Sequence, residues 1–230
     1  MFSKSKTGSR AAFLSLLFLA CGLTASAGTL PASNWQKDVT RNAAVLQKGD
    51  YAASLTTSDR MLTEMVKYLG AGAAEDETLA TVLTHKALAS AGLGNIDDAL
   101  WYWYIAQAIS PAAAKSDLSA FGAAGEYLKR HPFSYAGIPA GTGVAPARVL
   151  KQFAPSFPSG ASRFGAGDLV VQIVIDRKGQ PTLPRIIHPL PAPTLSFAAL
   201  EALKRWQFQP ATRNGEPVPA VFDLTVHYKL

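Results

Sequence analysis

The chain has 230 residues, of which 48% are hydrophobic and 17% are charged. This length suffices for one medium-sized domain or two small ones, and the composition excludes a largely disordered chain. The formal net charge is +6, which by itself would suggest a nucleic-acid partner.

The N-terminus has the three parts of a secretory signal. A basic head (residues 1–10) precedes an apolar run (residues 11–21), and an Ala-Ser-Ala sequence ends at Ala27. We therefore predict a signal peptide over residues 1–27, cleavage after Ala27 and a periplasmic location. Removing its three basic residues leaves 19 of the 22 against 16 acidic residues, a net charge of +3. That charge is too small to predict a nucleic-acid partner.

Two alternatives to cleavage stay open. The apolar run counted through Ala27 approaches the ~20 residues of a membrane helix, so an uncleaved N-terminus would be an inner-membrane anchor. Cys21 would be a lipid attachment site, although Phe18 is an unusual residue three positions before such a cysteine. Cys21 is also the only cysteine, and export without disulfides is typical of a bacterial periplasm.

Residues 28–132 are Ala-rich and have a helical pattern without strand-like alternation. The pattern predicts a helix over residues 78–91, a glycine-containing break, and a second helix over residues 96–109. This helical pair resembles a tetratricopeptide repeat (TPR), in which a small residue, here Ala87, allows close helix approach and an aromatic residue, here Trp103, fills the space beside it. A degenerate repeat precedes it, so we expect a TPR-like helical domain.

An aromatic run lies inside the second helix of this pair, at residues 101–104. Four consecutive helical positions cannot all face inward, so we expect one or two of these rings near the surface. Packing within the helical core is one interpretation. The other is a surface for a protein partner formed by Trp101, Tyr102 and Tyr104.

Residues 133–150 are rich in Gly and Pro and have no apolar period, which predicts a linker. The segment that follows, residues 151–230, alternates apolar and polar residues in two stretches. In the first, from Leu169 to Ile175, every second residue is a large apolar one. A return strand over residues 182–188 contains Pro184, which cannot donate a ladder hydrogen bond, so we expect an edge or bulged strand.

The remainder of this segment predicts one helix and one strand. Ser196 is the expected N-cap of a helix over residues 197–206, and Asn214-Gly215 predicts a tight turn. The last strand places Phe222 and every second residue after it on one face. The fold class is therefore α+β, with helical hairpins followed by a small β-β-α-β domain in which one helix covers an antiparallel sheet.

Residues 151–230 resemble the C-terminal domain of the TonB family. The shared features are the strand and turn over residues 168–179, the helix-to-proline stretch over residues 199–211, and the Asn-Gly turn. Phe157-Pro158 stands where that family has Tyr-Pro, which keeps the ring and loses its hydroxyl.

The resemblance implies that this domain binds the TonB box, an extended peptide of outer-membrane receptors, by adding it to an unpaired sheet edge. It also implies a link to TonB-dependent transmembrane transport. The residues expected to bind the peptide are Phe157, Pro158, Val221, Asp223, Thr225 and His227. The alternative is a periplasmic scaffold or adaptor whose TonB-like domain serves dimerisation, as in a homodimer, or docking.

Several classes of function lack support in the sequence. Energy-transducing members of the family have a membrane helix with a Ser and His pair and a long spacer, so we do not expect an inner-membrane motor complex as partner. The four histidines, at positions 85, 131, 188 and 227, are scattered and lack the spacing of metal ligands. No nucleophile elbow or phosphate-binding loop occurs. We predict no enzymatic activity, no cofactor and no metal.

Overall fold

The computed structural model describes residues 14–19, 33–68, 73–135, 143–157 and 160–229. Its N-terminal half is helical, as the sequence predicts. The helices of this half are α1 (Ser33–Gln47), α2 (Tyr51–Tyr68), α3 (Ala73–Gly92), α4 (Ile96–Ile109) and α5 (Gly122–Arg130). Short turns join α1 to α2 and α3 to α4, so these four helices form two hairpins, and α5 packs against α3 and α4. None of the helices described is long and apolar enough to cross a membrane.

Two glycines at the α3–α4 turn have different roles. Gly94 has a φ of +79°, a left-handed conformation that favours glycine at the end of a helix. Gly92 lies against the ring of Tyr51 at the start of α2, where an added Cβ would lie 2.4 Å from ring atoms. Gly92 is therefore required by the contact between the two hairpins.

The aromatic run of α4 is buried at all four positions, and no ring in it is more than 5% exposed. The expectation that one or two rings would lie near the surface is wrong. The reason is that α3, α5 and a strand of the C-terminal half all pack against α4. A helix covered from several sides can bury consecutive residues.

The C-terminal half is built from strands and one further helix, α6 (Pro193–Leu203). The strands described in the chain are β1 (Leu14–Leu19), β2 (Val144–Ala145), β3 (Arg148–Lys151), β4 (Gly167–Ile175), β5 (Pro181–His188), β6 (Gln207–Gln209), β7 (Ala211–Arg213), β8 (Glu216–Val218) and β9 (Ala220–Lys229). The main sheet has the order β1-β9-β4-β5. β4 is antiparallel to both of its neighbours, and β1 is parallel to β9. The elements β4, β5, α6 and β9 are the predicted β-β-α-β arrangement.

The alternation of the sequence gives the main sheet its buried face. Leu169, Val171, Ile173 and Ile175 of β4 are at most 1% exposed. In β9 every second residue from Phe222 to Tyr228 is also buried. Helix α6 buries nine of its eleven residues, and five of these belong to the same apolar core.

β5 is an edge strand with an irregular ladder, as Pro184 predicts. Its pairing with β4 shifts register twice, and Leu183 has a φ of +48°. A non-glycine residue in this region is uncommon and marks local strain. The backbone of β5 is therefore distorted at this edge of the sheet.

Helix α6 begins earlier than the sequence suggests. It starts at Pro193, a residue favoured in the first turn because its ring fixes φ and its missing N–H is not needed there. The expectation that Ser196 caps this helix is wrong. Ser196 lies within the helix, fully buried, and its hydroxyl accepts a hydrogen bond of 2.9 Å from the amide of Leu190.

The described part of the Gly/Pro-rich segment is attached to the C-terminal half at both ends. Strands β2 and β3 pair with β7 and β6 respectively. At the other end, the hydroxyl of Tyr135 donates to the carbonyl oxygens of Gln172 (3.4 Å) and Leu183 (3.5 Å). Residues 136–142 and most of the predicted signal peptide, including Cys21 and Ala27, lie outside the described residues.

Candidate functional site

β9 carries most of the residues that the sequence predicts to bind a peptide. Val221, Asp223, Thr225 and His227 alternate with the buried residues of this strand and share its outer face. Val221 is 40% exposed, and the other three are partly buried. The structure therefore brings these four predicted residues together as one row.

Two polar pairs connect this row to β4. The side-chain amide of Gln172 donates to Asp223 Oδ1 at 2.8 Å, and His227 Nδ1 lies 2.7 Å from Asp168 Oδ1. In each pair, the two residues lie directly opposite each other in the β4–β9 ladder. Such cross-strand pairs stabilise a sheet and hold its register. Asp168 and Gln172 were not predicted to belong to this site, although aligning the two predicted strands would have placed them beside the row.

The backbone of β9 is paired on both sides within the main sheet, and its outer edge is the side away from β4. Its inner edge pairs with β4 over residues 220–228. Its outer edge pairs with β1, in parallel, from Leu224 opposite Leu14 to Lys229 opposite Leu19. The outer edge of β9 is thus a surface on which an extended segment can add to the sheet.

Phe157 lies at the end of β9 but on the other face. Its ring packs edge-on against Tyr228, with 4.8 Å between ring centroids and an interplanar angle of 72°. Tyr228 is 3% exposed and faces the core, so Phe157 is not in the row that contains Asp223. Pro158 lies outside the described residues.

β5, the edge strand at the opposite end of the main sheet from β1, is less suited to accept a peptide. Pro184 lacks an N–H, and the backbone at Leu183 is strained. α4 also packs against this strand. The outer side of β9 is therefore better suited to accept a peptide than the outer edge of β5.

The aromatic residues predicted to face a partner contact other parts of this chain. Tyr104 packs edge-on against Phe133, with centroids 5.2 Å apart, and its hydroxyl lies 3.4 Å from the carbonyl oxygen of His131. Trp101 is 2% exposed, and its indole N–H is buried without a partner among the described residues. Tyr102 contacts α6.

Tyr102 is the centre of a polar cluster between the two halves of the chain. Its hydroxyl accepts from Lys204 Nζ at 3.1 Å and donates to Glu201 Oε2 at 3.4 Å. Lys204 also pairs with Asp98 Oδ1 at 2.7 Å. Burial raises the pKa of the Tyr102 hydroxyl, and the charges of Glu201 and Asp98 raise it further. The phenol therefore stays protonated and can donate and accept at once.

Two ammonium groups lie close to the Tyr102 ring. Lys86 Nζ is 4.0 Å and Lys204 Nζ is 4.5 Å from its centroid, distances at which a cation is attracted to the π system. Lys86 is itself paired with Asp59 at 2.7 Å. This cluster was not predictable from the sequence, because its members come from α2, α3, α4 and the end of α6, which are distant in the chain.

The four histidines lie apart from one another, and no group of three metal-ligating side chains occurs among the described residues. His85 is the buried one, at 4% exposure. Burial lowers its pKa to about 4, so the ring is neutral near pH 7. Its Nδ1 lies 3.4 Å from the side-chain amide nitrogen of Asn42, which indicates a structural role in the helical core.

Two comparisons with known proteins agree with this arrangement. Residues 154–230 match the family described as "Gram-negative bacterial TonB protein C-terminal". Protein TonB of Vibrio cholerae serotype O1 is 30% identical to this chain over 86 residues. That match covers 37% of this chain and 35% of the relative, so the chain spans about a third of the length of the relative that it matches. Residues 154–230, with their β-β-α-β order, therefore belong to the TonB C-terminal domain family.

Proposed function

We propose that this chain is a periplasmic TonB-like protein that binds an extended peptide of an outer-membrane receptor along the outer edge of β9. It would serve transport across the cell envelope as a binding protein and not as an enzyme. The observation that carries the proposal is the match of residues 154–230 to the TonB C-terminal family, together with an outer β9 edge that takes a strand.

The position of β1 supports this use of the edge. β1 lies within the predicted signal peptide, so cleavage after Ala27 would remove it and leave the outer edge of β9 open. Backbone hydrogen bonds would then provide affinity, and the row from Val221 to His227 would select side chains of the bound peptide. The paired side chains of Asp223 and His227 are already held in place by β4, which lowers the entropic cost of binding.

The test uses two forms of the protein, the full chain and the chain that starts at Gly28. A peptide with a TonB-box sequence is titrated into each, and amide chemical shifts are recorded. In the shorter form we expect saturable shifts confined to residues 220–229. In the full chain we expect weaker binding, because the peptide must displace β1. Shifts elsewhere, or none at saturating peptide, would contradict the proposal.

A matched pair of variants tests the role of the row. Asp223→Ala removes a carboxylate from the outer face of β9, and we expect about fivefold weaker binding, the effect of losing roughly one polar contact of 1 kcal/mol. Glu216→Ala removes an exposed carboxylate from β8, outside the main sheet, and should leave binding unchanged. Equal effects of the two substitutions would indicate a general charge effect instead.

The second candidate function is a scaffold or adaptor that uses the same edge for dimerisation. The observation that favours it is again the outer edge of β9, because an edge that accepts β1 can also accept a strand of a second copy. Solution mass over a concentration series separates the two functions. A dimer that persists at low micromolar concentration and excludes the receptor peptide would support the scaffold.

A further inference from the structure

A pocket lies within the helical half, between α3 and the segment 110–121 that joins α4 to α5. Its volume is about 260 Å³. An engineered protein cavity of about 150 Å³ takes up benzene, so this pocket has room for an aromatic ring that carries a short chain. Its lining includes no residue of β9, so it is separate from the edge that we propose for the receptor peptide.

Two buried polar side chains line the pocket and have hydrogen-bonding atoms without a partner. His85 is 4% exposed and Ser110 is 9% exposed. His85 Nδ1 lies next to the side-chain amide of Asn42, whereas His85 Nε2 and the hydroxyl of Ser110 form no hydrogen bond within the described part of the chain. Neither of these two atoms is fully enclosed, so each keeps surface that a ligand in the pocket can reach.

These two atoms suit a hydroxyl group of a ligand. Burial lowers the pKa of His85 to about 4, so its ring is neutral near pH 7, and Nε2 either donates or accepts according to the tautomer. The Ser110 hydroxyl can also do either. A ligand hydroxyl matches each combination, because it has one donor and two acceptor sites. A charged group would be poorly stabilised among neutral partners in this buried setting.

An apolar wall accompanies these polar atoms. It includes Ala80 of α3 together with Leu118 and Phe121 of the joining segment. The centroid of the Phe121 ring lies 6.3 Å from that of the His85 ring. The joining segment is packed tightly against α5, because a Cβ added at Gly125 would overlap the carbonyl oxygen of Leu118. The wall is therefore preformed, which favours a rigid apolar body in the ligand.

Two carboxylates lie at the mouth of the pocket. Glu77 and Asp117 line it and are exposed, and neither forms an ion pair with the residues that the structure describes. The amide of Ser119 donates to Asp117 Oδ1 at 2.9 Å and lowers the pKa of that carboxyl. The charge of Lys129 also lowers it, but the ammonium group of Lys129 is bound to the carbonyl oxygen of Ala114 at 3.1 Å.

The mouth therefore favours a cationic group, and the rest of the pocket decides what carries it. No lysine or arginine of the described chain lines the pocket. A metal ion fits poorly, since the described residues include no group of three metal-ligating side chains and a bare ion would leave the apolar wall uncovered. An ammonium group on an organic body fits better, because its three N–H donors can reach both carboxylates.

We infer that the pocket binds a small primary amine with an aromatic body and a hydroxyl group at its far end. The ammonium group pairs with Glu77 and Asp117, the ring packs on the apolar wall, and the hydroxyl bonds to His85 Nε2 and Ser110 Oγ. The helical half is then a small-molecule binding domain. The inference is independent of receptor-peptide binding at β9, and its failure would leave that proposal unaffected.

The first test titrates tyramine into the full chain and records amide chemical shifts. Tyramine carries the three required groups on about ten non-hydrogen atoms. We expect saturable shifts confined to α3 and residues 110–121. The absence of saturable shifts up to roughly 10 mM tyramine would overturn the inference, because a well-fitting ligand of this size binds more tightly than that. Saturable shifts confined to other residues would overturn it as well.

Three relatives of tyramine test each contact on the unaltered protein. The anion 3-(4-hydroxyphenyl)propanoate has a carboxylate in place of the ammonium group and should bind at least about tenfold more weakly, because it meets two like charges. 4-Ethylphenol lacks the ammonium group and 2-phenylethylamine lacks the hydroxyl, and each should bind at least about threefold more weakly. If any of the three bound as tightly as tyramine, the group that it lacks would make no contact and the inference would be wrong.

Two substitutions localise the ligand. Ser110→Ala should weaken tyramine binding about fivefold and leave 2-phenylethylamine, which has no hydroxyl, unchanged. Glu77→Lys should weaken tyramine binding about tenfold. Its control is Glu75→Lys, the same charge change two residues earlier on α3 and outside the pocket lining, which should have less than about a twofold effect because solvent screens the more distant charge.

The pattern across these variants decides the outcome. Tyramine binding that survives both Ser110→Ala and Glu77→Lys would place the ligand elsewhere and overturn the inference. Equal losses in Glu77→Lys and Glu75→Lys would also overturn it, since they would reveal a general charge effect. Circular dichroism checks that each variant is folded. If Glu77→Lys is not, the response of Ser110→Ala to tyramine and 2-phenylethylamine decides.

Discussion

The hydroxyl oxygen of Tyr102 and the ammonium nitrogen of Lys204 lie 3.1 Å apart, and this hydrogen bond joins the helical half to the TonB C-terminal domain. Tyr102 comes from α4 and Lys204 from the end of α6. The same ammonium group reaches Asp98 on α4. The two halves are therefore connected by charged and hydrogen-bonded contacts as well as by apolar packing, and their relative position is part of the fold.

Replacing Tyr102 by phenylalanine tests the strength of this connection. The substitution keeps the ring but leaves Glu201 Oε2 and Lys204 Nζ each without one partner. We expect the free energy of unfolding to fall by about 1–3 kcal/mol, the cost of unpaired polar groups in a buried setting. Denaturant titration measures it. Tyr127→Phe is the control, because the Tyr127 ring stacks on His131 while its hydroxyl has no partner among the described residues. An equally large fall in the free energy of unfolding of the control would show that the hydrogen bonds of the Tyr102 hydroxyl do not account for the loss.

Sequence patterns predicted the C-terminal domain better than the contacts between the halves. The alternation from Leu169 to Ile175 predicts a strand and its buried face, because a period of two residues has a direct structural meaning. The burial of all four rings in α4 has no such local signal. It depends on the docking of α4 against β5, which is set by residues distant in the sequence.

The strands within residues 144–151 and the start of α6 were not predicted, for local reasons of a different kind. β2 and β3 are two and four residues long, too short for an alternating pattern to be visible. Ser196 is a favoured capping residue, but Pro193 starts the helix one turn earlier. The row on β9 was predictable, because alternation places its residues on one face. Its partners on β4 were not, because they depend on the register between the two strands.

Gly179 and Gly215 form a matched pair that separates backbone strain from steric overlap. Both have positive φ, at +79° and +87°. A Cβ at Gly215 meets nothing within 4 Å, whereas at Gly179 it would lie 2.0 Å from the carbonyl oxygen of Phe208. The amide of Phe208 also donates to the Gly179 carbonyl at 3.1 Å, so this turn cannot move away freely.

We therefore expect unequal effects of alanine at these two positions. Gly215→Ala should cost about 1–2 kcal/mol, the penalty of a left-handed conformation. Gly179→Ala should cost at least about 2 kcal/mol more, because the backbone of β6 must shift. Thermal and denaturant unfolding of the two variants measure the difference. Equal losses would mean that the turn relaxes without resistance from Phe208.

The buried ring of His85 predicts that the protein loses stability in mild acid. Its pKa is lowered from 6.5 to about 4 in the folded state by burial. Between these two values the unfolded chain binds a proton that the folded chain does not, so the free energy of unfolding falls as the pH falls. Over that window the loss from this residue is about 3 kcal/mol, since one pKa unit corresponds to about 1.4 kcal/mol.

The measurement is the free energy of unfolding between pH 7 and pH 4 for the parent chain and for His85→Gln. Glutamine keeps a polar group beside Asn42 and does not titrate. We expect the variant to lose about 3 kcal/mol less than the parent over this range. Parallel pH profiles of the two proteins would exclude His85 as the cause of the acid sensitivity.

The last prediction concerns the N-terminus and decides whether the outer edge of β9 is open in the exported protein. The basic head, apolar run and small residues before Gly28 predict cleavage after Ala27. We expect the intact mass of the exported chain to correspond to residues 28–230. Ala27→Leu should block processing, because the cleavage site requires small residues, and Ala11→Leu, in the apolar run, should not. If the exported chain keeps its first 27 residues, β1 stays available to pair with β9 and the receptor peptide must compete with it.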